Sequence, residues 1–196
     1  MLGLCCGHAF AADGAAKQKT DAPKVAQIKP ALANVAYGPH AQQVLEIGVG
    51  GIKVGARVGA MPASQTKALI ELYYRTFNSG DREALLALLT DDVAHDINQG
   101  GCETGREAFR AFLGRMDRCY REQVADLVVF ASEDGSRGAA EFFIDGSYMA
   151  TDEGLPPATG QTYHLRVGAF FDIREGMIAR VTNYYNLQEW LRMVGA

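Results

Sequence analysis

The stretch Tyr73-Tyr74-Arg75-Thr76-Phe77-Asn78-Ser79-Gly80-Asp81, followed by Leu88-Leu89-Thr90-Asp91-Asp92-Val93, closes one helix, opens a second and leads into a strand. Upstream, Ser64 is placed to cap a helix running through Phe77, with Ala68, Leu69, Leu72, Tyr73, Thr76 and Phe77 on one face. Asn78-Ser79-Gly80 ends it, and Asp81 caps a shorter helix from Arg82 to Leu89. Val93 to Ile97 reads as a strand. After Gly100-Gly101, Thr104 and Glu107 form a T-x-x-E capping box for a third helix, in which Phe109, Phe112, Leu113 and Met116 are spaced for burial. Four β-rich stretches follow, at 122–132, 137–150, 161–174 and 177–186, with turn signals at Glu133-Asp134-Gly135 and Arg174-Glu175-Gly176. A final amphipathic turn, Leu187 to Val194, sets Trp190, Leu191 and Val194 against the sheet.

The order α-α-β-α-β-β-β-β groups helices early and an antiparallel meander late, which predicts an α+β fold. A curved sheet wrapped around the helices leaves a cavity on its concave side, the usual place for a small ligand. This domain is expected over residues 61–196. Residues 1–60 are Ala-, Gly- and Lys-rich without sustained periodicity, and read as a poorly ordered extension: a signal remnant, a fusion or a misassigned start.

Of 196 residues, 48% are hydrophobic and 21% charged, enough apolar side chains for a sizeable core. The net charge is −4, and residues 61–196 hold thirteen Lys/Arg against twenty Asp/Glu. That balance repels phosphate backbones, and nucleic acid is not an expected partner. No apolar run approaches the roughly 20 residues of a membrane-crossing helix, so no membrane association is expected. Cys5, Cys6, Cys102 and Cys119 form neither a CxxC pair nor a zinc-site spacing and read as free thiols. The expected compartment is the cytoplasm, with export as the alternative if Ala9-Phe10-Ala11 serves as a cleavage site. His8, His40, His95 and His164 lack helical ligand spacing with a carboxylate between, so no metal is expected. No phosphate loop or dinucleotide fingerprint is present, and no cofactor is expected.

The helix-closing stretch above, with Gly105-Arg106-Glu107-Ala108-Phe109, Gly154-Leu155-Pro156-Pro157-Ala158-Thr159-Gly160 and the ending Tyr184-Tyr185-Asn186-Leu187-Gln188-Glu189-Trp190, resembles the nuclear transport factor 2-like superfamily. The likeness spans residues 64–195 and points to the ketosteroid-isomerase-related and polyketide-cyclase (SnoaL)-like branches. His95-Asp96-Ile97-Asn98-Gln99-Gly100-Gly101 resembles a hallmark of the former. The resemblance implies a cone-shaped domain, a homodimer formed through the sheet and cofactor-independent chemistry on a small apolar molecule. In such isomerases a carboxylate moves the proton while hydrogen-bond donors hold the developing enolate oxygen.

By that resemblance Tyr73 matches the oxyanion tyrosine, and Asp96 lies in or beside the position of the catalytic base. Counting from Asp91-Asp92 leaves Asp96 one residue short, and in a strand one residue reverses the face. With Asp96 inward, His95 is a surface or edge residue. The family's second acid falls near Gly168 or Ala169, which cannot donate, and Asn186 stands where the cyclase branch has an acid. Glu141 and Asp145 share one strand face opposite Tyr148; they lie on the solvent or dimer face, or Glu141 replaces the missing acid inside. His164 is expected to face outward. Phe112, Met116, Tyr120, Tyr185 and Trp190 read as core and cavity wall, and Asn183 and Asn186 as groups that orient a carbonyl. The expected function is proton transfer next to a carbonyl in a polycyclic or terpenoid-like compound, with Asp96 as base and Tyr73 as donor. The alternative is a non-catalytic ligand-binding or dimerisation module, favoured by Ala169 and Asn186 where acids are expected.

Overall fold

The structure, a computed structural model, describes residues 44–49, 52–57 and 61–195. The chain divides into two units. In the smaller, where the Gly-rich composition gave no strand signal, β1 (Val44–Val49) and β2 (Ile52–Arg57) pair antiparallel. The Ala9-Phe10-Ala11 segment and the other residues of 1–60 apart from these two strands lie outside the described residues.

The larger unit runs α1 (Ala63–Ser79), α2 (Arg82–Leu86), β3 (Leu89–Asp96), β4 (Cys102–Thr104), α3 (Arg106–Cys119), β5 (Tyr120–Ala131), β6 (Arg137–Tyr148), β7 (Thr162–Arg174), β8 (Met177–Tyr185) and α4 (Leu187–Val194). Its six strands lie in the order β4-β3-β8-β7-β6-β5, antiparallel except for β3 beside β8. The sheet is curved and unclosed, with helices on its concave side: the α+β cone that the element order predicts.

Local chemistry explains the joints. Gly80, at φ 76, takes the left-handed turn that ends α1, and Asp81 accepts the Ala84 N–H at 3.0 Å to start α2. The Asn78 side chain accepts from Val124 N (2.8 Å) and donates to Val124 O (2.9 Å), fastening the end of α1 to edge strand β5. Two expected caps are not formed. α1 starts after Pro62 with no side-chain cap at Ser64, and Thr104 pairs with Ala94 in the β3–β4 ladder, so the capping residue of α3 is Gly105. There the backbone turns at φ 100, which glycine reaches without steric cost. α2 is shorter and β3 longer than the sequence predicts, because Leu89 pairs with Ile178 of β8.

Alternation sorts the side chains. Phe142, Ile144, Tyr148, Leu165, Val167, Ala169, Phe171 and Val181 point to the helices, where α1 and α3 add Ile70, Tyr73, Tyr74, Phe109, Phe112 and Met116. Each large side chain buried this way contributes roughly 1.5–3 kcal/mol. Trp190 of α4 closes one end, edge-on to Tyr148 (5.6 Å) and Tyr163 (6.0 Å). Gly146 makes room for the Tyr163 ring, which a β-carbon there would meet at 2.2 Å; the ring crosses it so that the Tyr163 hydroxyl donates to Glu122 of β5 at 2.7 Å.

Candidate functional site

The inner face of β3 and β8 combines apolar walls with polar groups that make no hydrogen bond. His95 is 2% exposed and sits beside Val181; its ring lies 4.7 Å from Phe109 and 4.4 Å from Phe112. Asn183 stands opposite Ala169 on the neighbouring strand, and Tyr185 opposite Val167. His95 Nδ1, Asn183 Nδ2, Tyr185 Oη and Tyr74 Oη are buried without a partner. An unpaired buried donor or acceptor costs about 1–3 kcal/mol, so several gathered around one inner face stand out from the rest of the core. Asn98 packs against Tyr185, and its Nδ2 donates to the Tyr185 carbonyl at 3.2 Å.

Burial, with a smaller push from the Arg115 charge and against the pull of Asp96, lowers the His95 pKa to about 4. At neutral pH its imidazole is therefore uncharged, an acceptor at one ring nitrogen and a donor at the other. Burial pushes the Tyr73, Tyr74 and Tyr185 phenols up, leaving them as donors.

Asp96 corrects the sequence expectation. It lies on the outer face, where Arg180 Nη1 (2.6 Å) and Thr182 Oγ1 (2.7 Å) donate to its Oδ2. Burial alone would raise its pKa, but the bonds from Thr182, Arg180 and Cys102 outweigh it and hold the carboxyl below its ordinary value. The count from Asp91-Asp92, which leaves Asp96 one residue short of the base position, points the right way: Val93 and His95, two apart, take the buried face and Asp96 the outer one. His95, expected on the surface, takes the inward position instead.

Glu141 is likewise outside, paired with Arg166, and does not replace an inner acid. Asn186 is exposed and spends its side chain capping α4, accepting Glu189 N at 3.1 Å. His164 is on the outer face with Asp145, Nδ1 to Oδ1 2.6 Å. Tyr73 is fully buried, edge-on to Tyr74 (5.2 Å) and Phe171 (5.8 Å). Phe112, Met116, Tyr120, Tyr148, Ala169, Asn183, Tyr185 and Trp190 are all buried. Among the described residues, no group of three His, Cys, Asp or Glu is placed to hold a metal ion, and no helix is long and apolar enough to cross a membrane.

One buried acid was not singled out from the sequence. Asp152, 5% exposed, accepts the Tyr120 hydroxyl at 3.0 Å, and its Oδ2 stands 4.0 Å from Arg115 Nε. A loop carboxylate flanked by Thr151 and Glu153 carries no periodic signal of burial; only its tertiary partners reveal it. Nearby, a cleft of about 1040 Å³ is lined by Asn78, Asp117, Tyr120, Glu122, Tyr163 and Met193, among others.

A SnoaL-like domain profile matches residues 70–181. The chain is 56% identical to a candidate polyketide cyclase from Pseudomonas putida, over 68% of this chain and 98% of that one, with a TM-score of 0.66. A second, from Xanthomonas campestris, is also 56% identical over 67% and 97% of the two chains, TM-score 0.65. A third, from a Silicibacter species, is 46% identical over 69% and 99%, TM-score 0.67. No curated protein matches the chain. With its profile match, its near-full-length structural relatives and its cone, the chain belongs to the SnoaL-like domain family.

Proposed function

We propose that the cone binds a small, largely apolar carbonyl compound and moves a proton next to the carbonyl without a cofactor, with His95 rather than Asp96 as the base. The observation that carries this reading is the uncharged imidazole of His95, its Nδ1 without a partner, on the same inner face as the unpartnered Nδ2 of Asn183. A pKa of about 4 gives the imidazole a proton affinity near that of an ordinary aspartate, about 3.9. Asn183 Nδ2 and the Tyr185 hydroxyl are the groups to hold the oxygen as negative charge develops on it. Phe109 and Phe112 supply a dry wall that strengthens both interactions. The likeness to candidate polyketide cyclases supports a cyclase- or isomerase-type reaction.

The test is exchange of protons for deuterium next to the carbonyl of a panel of polycyclic ketones in D2O, followed by NMR. The wild type should exchange at least one of them, and His95→Gln should lose about 10²–10⁴-fold of that rate. An unchanged rate in His95→Gln would remove the proposed base.

One observation favours the non-catalytic alternative: Ala169 occupies the inner-face position where the family resemblance expects an acid. Under that reading a ketone binds, His95→Gln weakens binding, and no exchange occurs in the wild type. We further propose that a second copy seats on the outer face, where Val128, Phe130, Phe170 and Tyr184 are exposed among paired charges. Phe170→Asp should then lower the sedimentation coefficient to that of one chain; association unaffected by this change would contradict the assignment.

A further inference from the structure

The aromatic end of the inner face is closed by a strap, residues 149–161, that joins β6 to β7 without regular secondary structure. Met149, Ala150, Thr151, Glu153, Gly154, Pro157, Thr159 and Gly160 are exposed, and the one fully buried residue of the strap is a carboxylate, Asp152. Three groups meet its side chain and a fourth its backbone. The Tyr120 hydroxyl donates to Oδ2 at 3.0 Å, Arg115 Nε stands 4.0 Å from the same oxygen, the Glu153 N–H donates to Oδ1 at 3.0 Å, and the Asp152 N–H donates to Tyr148 Oη at 2.8 Å. At the far end Gln161 Nε2 donates to Val194 O at 2.7 Å and to Pro157 O at 3.0 Å. Gly154 and Gly160 flank the Pro156-Pro157 pair with φ of 79 and 84, conformations in which glycine turns the chain without strain.

An apolar side chain would hold such a strap by burial alone, loosening gradually. A carboxylate behaves differently: its desolvation is offset only while its partners stay in place, so it holds in one arrangement and lets go as a unit. Tyr120 makes the consequence local. Its ring stacks on Tyr148 (5.3 Å), lies 6.3 Å from Trp190, and also lines the 1040 Å³ cleft. Tyr120 thus belongs both to the cleft's lining and to the buried aromatic cluster with Tyr148, and both tyrosines are tied to Asp152.

We infer that the strap is the door through which the ligand reaches the inner face, and that Asp152, held by Tyr120, Tyr148 and Arg115, is its latch. This rests on the inner face being the ligand site. Ligand entering along the cleft meets Tyr120; release of Asp152 frees Tyr120 and Tyr148 to swing aside, and reclosure seals the site from water.

The test uses the full chain as wild type, Asp152→Asn, Tyr120→Phe and, as a control on the exposed neighbour, Glu153→Gln. Hydrogen–deuterium exchange is read by mass spectrometry without ligand, and uptake of the neutral apolar fluorophore N-phenyl-1-naphthylamine by stopped flow. In Asp152→Asn, exchange in residues 149–161 should rise about tenfold with the other strands unchanged, and the uptake rate should rise with it. Tyr120→Phe, which removes one donated bond and keeps the ring, should show both effects at about threefold even if Asp152→Asn folds poorly. Glu153→Gln should match the wild type in both. Strap exchange unchanged in the two latch variants overturns the latch; a loosened strap with wild-type uptake overturns the door. Absence of uptake in every variant overturns the ligand site itself, a failure visible separately from the exchange data.

Discussion

The two faces of one sheet treat polar groups in opposite ways, and neighbours in sequence show it. Asp96 on the outer face is paired with Arg180 and Thr182, Glu141 with Arg166, Asp145 with His164, and Asp172 with Arg137. On the inner face His95 Nδ1, Asn183 Nδ2 and Tyr185 Oη stand unpartnered among aromatic rings. Charges that are already matched at the surface gain little from a ligand, whereas unmatched neutral groups in a dry interior gain a full hydrogen bond. The proposed chemistry therefore lies on the inner face, although the outer face carries more ionisable side chains.

The sharpest way to break this comparison is to remove one neighbour at a time. His95→Gln should cost about 10²–10⁴-fold in carbonyl-adjacent proton exchange, while Asp96→Asn should stay within about threefold of the wild type. Equal losses would mean that the faces are not functionally distinct.

A smaller effect, in stability, follows from the same burial. His95 has a folded pKa of about 4 against an ordinary 6.5, so the unfolded chain binds a proton that the folded one refuses between those values. Its contribution is fully present above pH 6.5 and is lost as pH falls toward 4, by about 3 kcal/mol. Denaturant melts at pH 7 and pH 4 should show that loss in the wild type, reduced by this amount in His95→Gln. Identical pH dependence in the two proteins would show that His95 is not buried as an uncharged group.

The smallest effect belongs to the outer face. The Asp96–Arg180 pair is part-exposed, and Asp96→Asn should cost about 1 kcal/mol at pH 7. Because the folded Asp96 pKa lies below its ordinary 3.8, that difference should persist at neutral pH and vanish in strong acid. A loss of several kcal/mol would place Asp96 among the core polar groups instead.

The sequence carried the fold through local signals: the 3.6-residue pattern of α1 and α3, the Gly80 stop, the Asp81 cap, the four long strands and the α4 span from Leu187 to Val194 all lie where chain-local chemistry puts them. What it could not carry were features set by distant partners. Thr104 loses its cap role to a ladder bond with β3, and β3 starts early because β8, some 90 residues on, pairs with Leu89. The site followed suit. Asn183, Tyr185, Tyr148 and Trp190 were legible because strand alternation and helical spacing place them inward. Asp96 and His95 were exchanged because the family resemblance put Asp96 in or beside the base position, and in a strand one residue reverses the face. Asp152 was invisible because its burial comes from Tyr120, Tyr148 and Arg115, not from its own loop.

The most direct measurement is an NMR pH titration of the His95 ring nitrogens in the full-length protein, with and without a bound polycyclic ketone. An inner-face base predicts a ring that stays uncharged down to about pH 4 and whose Nδ1 resonance moves when the ketone binds. A ring that titrates near 6.5, as a solvated imidazole does, and ignores the ketone would contradict it.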